Sequence, residues 1–139
     1  MTYALAWALQ QALHAALVAD PGVAAQLGTR IYDAAPQEAA PLAQPYAILG
    51  DESAENRSSQ TDRGAVHTVT IAIYAPSAGF AAAKQAAAAI SDRLLGGEAL
   101  VLARGCVVAL DFLDARTARL ETDALRRVAL RFRILVADG

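Results

Sequence analysis

One stretch constrains this chain more than any other: Ala65 to Ala75, AVHTVTIAIYA. Its side chains alternate. His67, Val69, Ile71 and Ile73 point one way; Val66, Thr68, Thr70, Ala72 and Tyr74 point the other. A period of two in β-branched and aromatic residues predicts a strand. A polar run precedes it, and Ala75-Pro76-Ser77-Ala78-Gly79 breaks it and opens an alanine-rich helix. Nothing on the strand resembles a reaction centre, so the expectation is a scaffold that presents surfaces.

The length of 139 residues suits one domain with one core, and residues 1–139 read as a single domain. Hydrophobic residues make up 55% of it, but many are alanine, which predicts a core thin in places. The formal net charge is −2, so the molecule as a whole is no obvious polyanion binder. Charge is nevertheless uneven. Residues 1–62 hold two arginines against seven acids, whereas residues 63–139 hold ten basic groups against seven acids. Such polarity suits a protein that meets copies of itself or a charged neighbour, unless the fold mixes the halves and cancels it.

The single cysteine, Cys106, excludes an intrachain disulfide and any multi-cysteine zinc site. Within GCVVALDF it reads as a small buried hydrophobe. Met1-Thr2-Tyr3 lacks the basic start of a signal peptide. No apolar run reaches the roughly 20 residues of a membrane span, so no membrane partner is expected.

Tyr3 to Val18 predicts a helix ended by Asp20-Pro21-Gly22. Leu5, Leu9, Leu13 and Leu17 form its apolar stripe, with Trp7, Gln10, Gln11, His14 and Val18 on the other side. The only tryptophan is therefore either an interface residue or covered by a second layer of the same chain. Pro21 to Leu27 predicts a short helix with Gly28 as its stop. Thr29 to Asp33 is a short extended piece, and the prolines at 36, 41 and 45 exclude regular structure over 34–45. Tyr46 to Gly50 predicts a strand running on toward Ala54. Asp51 to Gly64 is almost devoid of apolar residues and reads as a long hairpin arm or loop.

Gly79 to Leu95 predicts a second long helix with Phe80, Ala83, Ala87, Ile90 and Leu94 on one face. Leu100–Leu102 reads as a short edge piece. Cys106 to Arg116 predicts a strand with Val108, Leu110 and Phe112 inward. Leu125 to Val136 predicts another, with Val128, Leu130, Phe132, Ile134 and Val136 inward and Arg127, Arg131 and Arg133 outward. The two form an antiparallel hairpin, and parity sets Asp111 opposite Arg131 or Arg133. The expected fold is α+β: a mixed, mainly antiparallel sheet of about four strands, two long helices on one face, and a long polar hairpin arm.

Catalytic and ligand motifs are missing from the sequence. His14 and His67 have no cysteine or carboxylate at metal-ligand spacing, and His67 reads as a strand histidine in a polar contact. There is no GxSxG, P-loop or GxGxxG, and Gly96-Gly97 ends a helix rather than opening one. Ser58-Ser59 lacks a companion base in sequence, and Asp51, Glu52 and Glu55 read as a solvated cluster rather than a catalytic pair. The expectation is no enzyme, no metal and no cofactor.

Several segments together carry a resemblance. They are Gly28-Thr29-Arg30-Ile31-Tyr32-Asp33, Pro45-Tyr46-Ala47-Ile48-Leu49-Gly50, Thr61-Asp62-Arg63-Gly64-Ala65-Val66-His67 with its strand to Tyr74, Gly79 with its alanine-rich helix, and a final hairpin ending Arg131-Phe132-Arg133. In this order the chain resembles, over nearly its whole length, the tail completion or tail terminator proteins of long-tailed phages, prophages and gene transfer agents. It departs from them at Tyr74, where the family often has Trp, and at Ala47, which is not β-branched. The resemblance implies a structural virion protein located in the tail and assembled in the host bacterial cytoplasm. It implies a homo-hexamer ring that caps the tail tube, stops its polymerisation and meets the head-side connector (stopper) protein. DNA would pass through the lumen without specific binding.

On that reading the expected subunit or tube contacts are Trp7, Arg57, Asp62, Arg63 and His67. An alternative is a small nucleic-acid or ligand-binding module using the basic sheet face of Arg127, Arg131 and Arg133. That face lacks the aromatic interleaving of single-strand binders. An unrecognised hydrolase ranks last.

Overall fold

The alternating stretch becomes the middle strand of the molecule. The computed structural model describes residues 3–33, 44–56, 64–76, 80–120 and 125–138. The elements are α1 (Ala6–Ala19), α2 (Pro21–Leu27), β1 (Ile31–Tyr32), β2 (Tyr46–Asn56), β3 (Gly64–Pro76), α3 (Ala81–Leu95), β4 (Cys106–Arg119) and β5 (Leu125–Ala137). One sheet runs in the order β1-β2-β3-β5-β4. β1 lies parallel to β2, and the other neighbours are antiparallel. The α+β class and the mainly antiparallel sheet stand. Among the described residues the sheet has five strands rather than about four, because the two-residue β1 joins it, and the short helix α2 stands beside the two long helices.

The core lies between one sheet face and the helices. Leu5, Leu9, Leu13 and Leu17, Val23 and Leu27, and the Ala83–Leu94 face of α3 meet Val69, Ile71 and Ile73 of β3 and the even-numbered residues Val128 to Val136 of β5. Each fully buried Leu, Ile or Phe contributes about 1.5–3 kcal/mol. Alanines at 83, 86 and 87 are buried, which lets α3 lie close to the sheet. α2 starts where Asp20 accepts a hydrogen bond from the Val23 amide at 3.0 Å and ends at Gly28, whose φ of 57° suits glycine.

Two kinds of irregularity change which side chains face the core. In β2, Gly50 pairs with Thr70 but Glu52 with Val69, leaving Asp51 as an extra residue at φ 40°. The bulge reverses the parity of the strand and turns Glu52 to the helix side. In β4, register shifts fall between Val107 and Ala109 and between Phe112 and Asp114. Val107, not Val108, therefore opposes the buried Val136, and Val108 is exposed rather than inward. Phe112 opposes Phe132 as the parity requires, but it sits on an edge strand and stays 44% exposed.

Two further expectations are corrected. Cys106 is exposed, because it begins an edge strand. Leu100–Leu102 forms no strand; Leu100 instead fills the core as a loop residue.

The sheet order also decides the charge question. β1 and β2, from the acidic half, form one edge, and β4, from the basic half, forms the other. On β2, Asp51, Glu52 and Glu55 are exposed with no basic residue between Tyr46 and Asn56.

Candidate functional site

Trp7 stands on the polar side of α1, 63% exposed. With Gln10, Gln11 and His14 it forms one wall of an open groove of about 510 Å³, whose other wall is Ile31, Tyr32, Asp33 and Leu49. The groove exists because β1 ends after two residues and leaves the β2 edge and the flank of α1 side by side. His14 Nε2 lies 3.2 Å from the Ile31 carbonyl oxygen and ties the helix to this edge. Of the two readings of Trp7, exposure is the one the described residues favour.

His67 is fully buried on β3 and meets Glu52 through Nδ1 at 2.7 Å from Oε2. A carboxylate only accepts, so Nδ1 carries the proton. The other carboxylate oxygen accepts from the Tyr3 hydroxyl at 2.8 Å, and the Tyr3 and His67 rings lie 6.1 Å apart. The hydrogen bond to Glu52 also raises the Tyr3 hydroxyl above its ordinary pKa. Glu52 is exposed with Asp51 and Glu55, yet it also makes contacts of its own: it clasps Tyr3 to His67 of β3. His67 reads as a structural anchor there, with its Nε2 buried and without a hydrogen-bond partner among the described residues. The arm residues Arg57, Asp62 and Arg63 lie outside the described residues.

The basic face is neutralised at one of its three arginines across the C-terminal hairpin. Arg131 donates to Asp114 through Nε at 2.9 Å and Nη2 at 2.6 Å. These hydrogen bonds hold the Asp114 carboxyl below the usual carboxylate range and the Arg131 guanidinium above its own. Arg133 opposes Asp111 in the register, and Arg127 opposes Tyr74.

Sequence reasoning missed Asp114, because the bulge at Leu113 shifts its register. It also missed Arg126, buried on the core side with its guanidinium carbon 5.7 Å from the Phe80 ring centroid. The outward sheet face holds aromatic rings too, though not on the hairpin. Tyr46 stacks on Tyr74 at 5.2 Å, and Tyr32 lies 6.2 Å from Tyr46. Equal parity along β1, β2 and β3 was the available signal.

At the opposite edge β4 exposes Val108, Phe112 and Leu113. Among the described residues no group of three or more His, Cys, Asp or Glu side chains could hold a metal ion. No described helix is long and apolar enough to cross a membrane. The arrangement offers contact surfaces: a groove at one edge, apolar side chains at the other, and a clasped hairpin.

The family model described as Tail completion protein gp17 matches residues 11–137. Among solved structures, a chain from "Virion of native gene transfer agent (GTA) particle" is similar at 47% identity and a TM-score of 0.88, covering 98% of this chain and 99% of that one. No curated protein matches.

Proposed function

Since the chain belongs to the Tail completion protein gp17 family, we propose that it is a ring-forming tail terminator of a phage or phage-like particle. It is a structural protein of the tail. In this reading it caps the tail tube, stops its polymerisation and joins it to the head-side connector. It acts as one domain without catalysis, as a homo-hexamer through whose lumen DNA passes. The observation that carries the proposal is the near full-length likeness to a chain of a native gene transfer agent virion. The fold supports it: two unlike sheet edges suit a head-to-tail contact that closes into a ring. The pairing of Arg131 with Asp114 argues against a dedicated phosphate track.

Within this reading, residues 57–63 with Arg57, Asp62 and Arg63 form the contact with the tube or a neighbouring subunit, rooted by the His67–Glu52 clasp. β2 and β3 pair as far as Asn56 and Ala65, so the test leaves that ladder intact. Residues 57–63 are replaced by a two-residue Gly-Ser link. The expected product is folded, with an unchanged circular dichroism spectrum, yet fails to restore tails in a strain lacking the protein. Tails of normal number and length with this variant would refute the role of the arm.

A further inference from the structure

The described helices pack on one face of the sheet and leave the other without a helical cover. On that open face β4 and β5 place Arg116, Arg127, Arg131 and Arg133 against Asp111 and Asp114. Between Arg116 and Arg131 lies a basin of about 350 Å³, completed by Thr70, Asp114 and Ala129. The registers explain it. Arg116 opposes Ala129, and Ala129 opposes Ala72, so only small side chains stand beside Arg116 on β5 and β3.

A guanidinium can hold an oxyanion on either of two edges. Asp114 takes the Nε–Nη2 edge of Arg131, at 2.9 and 2.6 Å, and fixes its position. The Nη1 donors of Arg131 have no partner among the described residues, and Arg116, which is exposed, makes no hydrogen bond or ion pair among them. Two arginines and one carboxylate leave one positive charge in excess, and the Thr70 hydroxyl adds a donor. The basin therefore suits one singly charged oxyanion. A nucleic acid laid on this face would also meet Asp111 and Asp114, and its repeated charge would be repelled there. A lone carboxylate meets the surplus charge alone, in the planar geometry that a guanidinium matches.

We infer that the basin seats a carboxylate from a second copy of this chain, that of Glu55 on β2. Glu55 is exposed and makes no ion pair among the described residues, and no basic residue lies between Tyr46 and Asn56 to compensate it. Glu52 is already held by Tyr3 and His67, and Asp51 is the extra residue of the bulge. Within one chain Glu55 and the basin cannot meet. Glu55 is level with Leu135 of β5 and Arg116 with Ala129, six residues away. That is about 20 Å along the strand, with β3 and β5 lying between β2 and β4. Glu55 also stands at the foot of residues 57–63, proposed above as the contact with the tube or a neighbouring subunit. The inference rests on that reading and on the ring, and it names the surface that the foot of the arm meets. A strand end set on a sheet face joins unlike surfaces, and such a contact repeats around a ring.

Charge reversal tests the pair in the full chain. R116E and E55R are supplied separately and together to a strain lacking the protein, and recovery of the chain in purified tails is measured. R116Q, which removes the charge without setting an acid beside Asp114, is made as well. Both positions are exposed, and circular dichroism of each purified variant checks the fold.

The expected result is recovery about tenfold lower for R116E, R116Q and E55R, and near wild-type recovery for R116E with E55R. Because the two sites are far apart in one chain, such a rescue reports contact between copies. Single variants recovered like the wild type, or a double variant no better than the singles, would overturn the Glu55 contact while the ring reading stands. A double variant that stays unrecovered, with R116E also losing a DNA duplex that the free wild type binds, would make phosphate the occupant instead. A wild-type chain missing from purified tails would overturn both the contact and the ring.

Discussion

Glu52 Oε2 lies 2.7 Å from Nδ1 of His67, and the histidine ring is fully buried while the carboxylate reaches it from a neighbouring strand. The contact depends on the extra residue Asp51, which turns Glu52 to the core side. E52A leaves a buried imidazole N–H without its acceptor and should cost about 1–3 kcal/mol in urea unfolding. Y3F removes only an exposed hydrogen bond to the same carboxylate and should change stability by no more than about 0.5 kcal/mol. Equal losses for the two variants would mean that the His67 contact adds nothing.

Gly105 precedes β4 at φ 74°, and a Cβ there would sit 2.6 Å from the Ala137 carbonyl oxygen and 2.9 Å from Leu5 Cδ1. G105A meets backbone on one side and the core on the other. It should cost about 1–3 kcal/mol, read as a lowered melting temperature. An unchanged melting temperature would contradict the close approach of β5 and α1 at this corner.

How far the fold was legible follows from these details. Residues that repeat a simple period were readable: His67 to Ile73 on β3, Val128 to Val136 on β5, the leucines of α1, and the Asp20-Pro21 and Gly28 ends of α2. Parity alone placed Asp111 opposite Arg131 or Arg133, and the register selects Arg133. Bulges were not legible, because an extra residue at Asp51, Val108 or Leu113 leaves the local composition unchanged while reversing every side chain beyond it. That one cause explains the misplacement of Val108 and the failure to see Asp114 and Glu52 as partners. The exposure of Cys106 and Phe112 depends on β4 being an edge strand, which is a property of the sheet order. Trp7 was legible as the odd residue of its helix; the groove beside it needed the early end of β1.

Phe132 and Phe112 form an edge-on pair at 5.8 Å, one fully buried and the other at the sheet edge. F132A should cost about 3–5 kcal/mol in chemical denaturation of the free protein. F112A should cost much less there, since its ring already meets solvent. Similar stability losses for both would place Phe112 in the core.

The Asp114–Arg131 pair sets a pH dependence. Its hydrogen bonds lower the folded-state pKa of Asp114, so the pair adds stability above the unfolded carboxylate value of about 3.9 and loses it as pH falls through the lower folded value. D114N removes this contribution. The stability gap between wild type and D114N should be widest near neutrality and shrink in acid, measured by urea unfolding at both. A gap that grows on acidification would reverse the sign and contradict the pairing.

The most direct measurement is the length distribution of tail tubes, by electron microscopy, in particles made with and without this chain. A terminator predicts that its loss gives overlong tubes and heads without joined tails, and that supplying the wild-type chain restores a single length. Tails of normal length joined to heads in its absence would contradict the account.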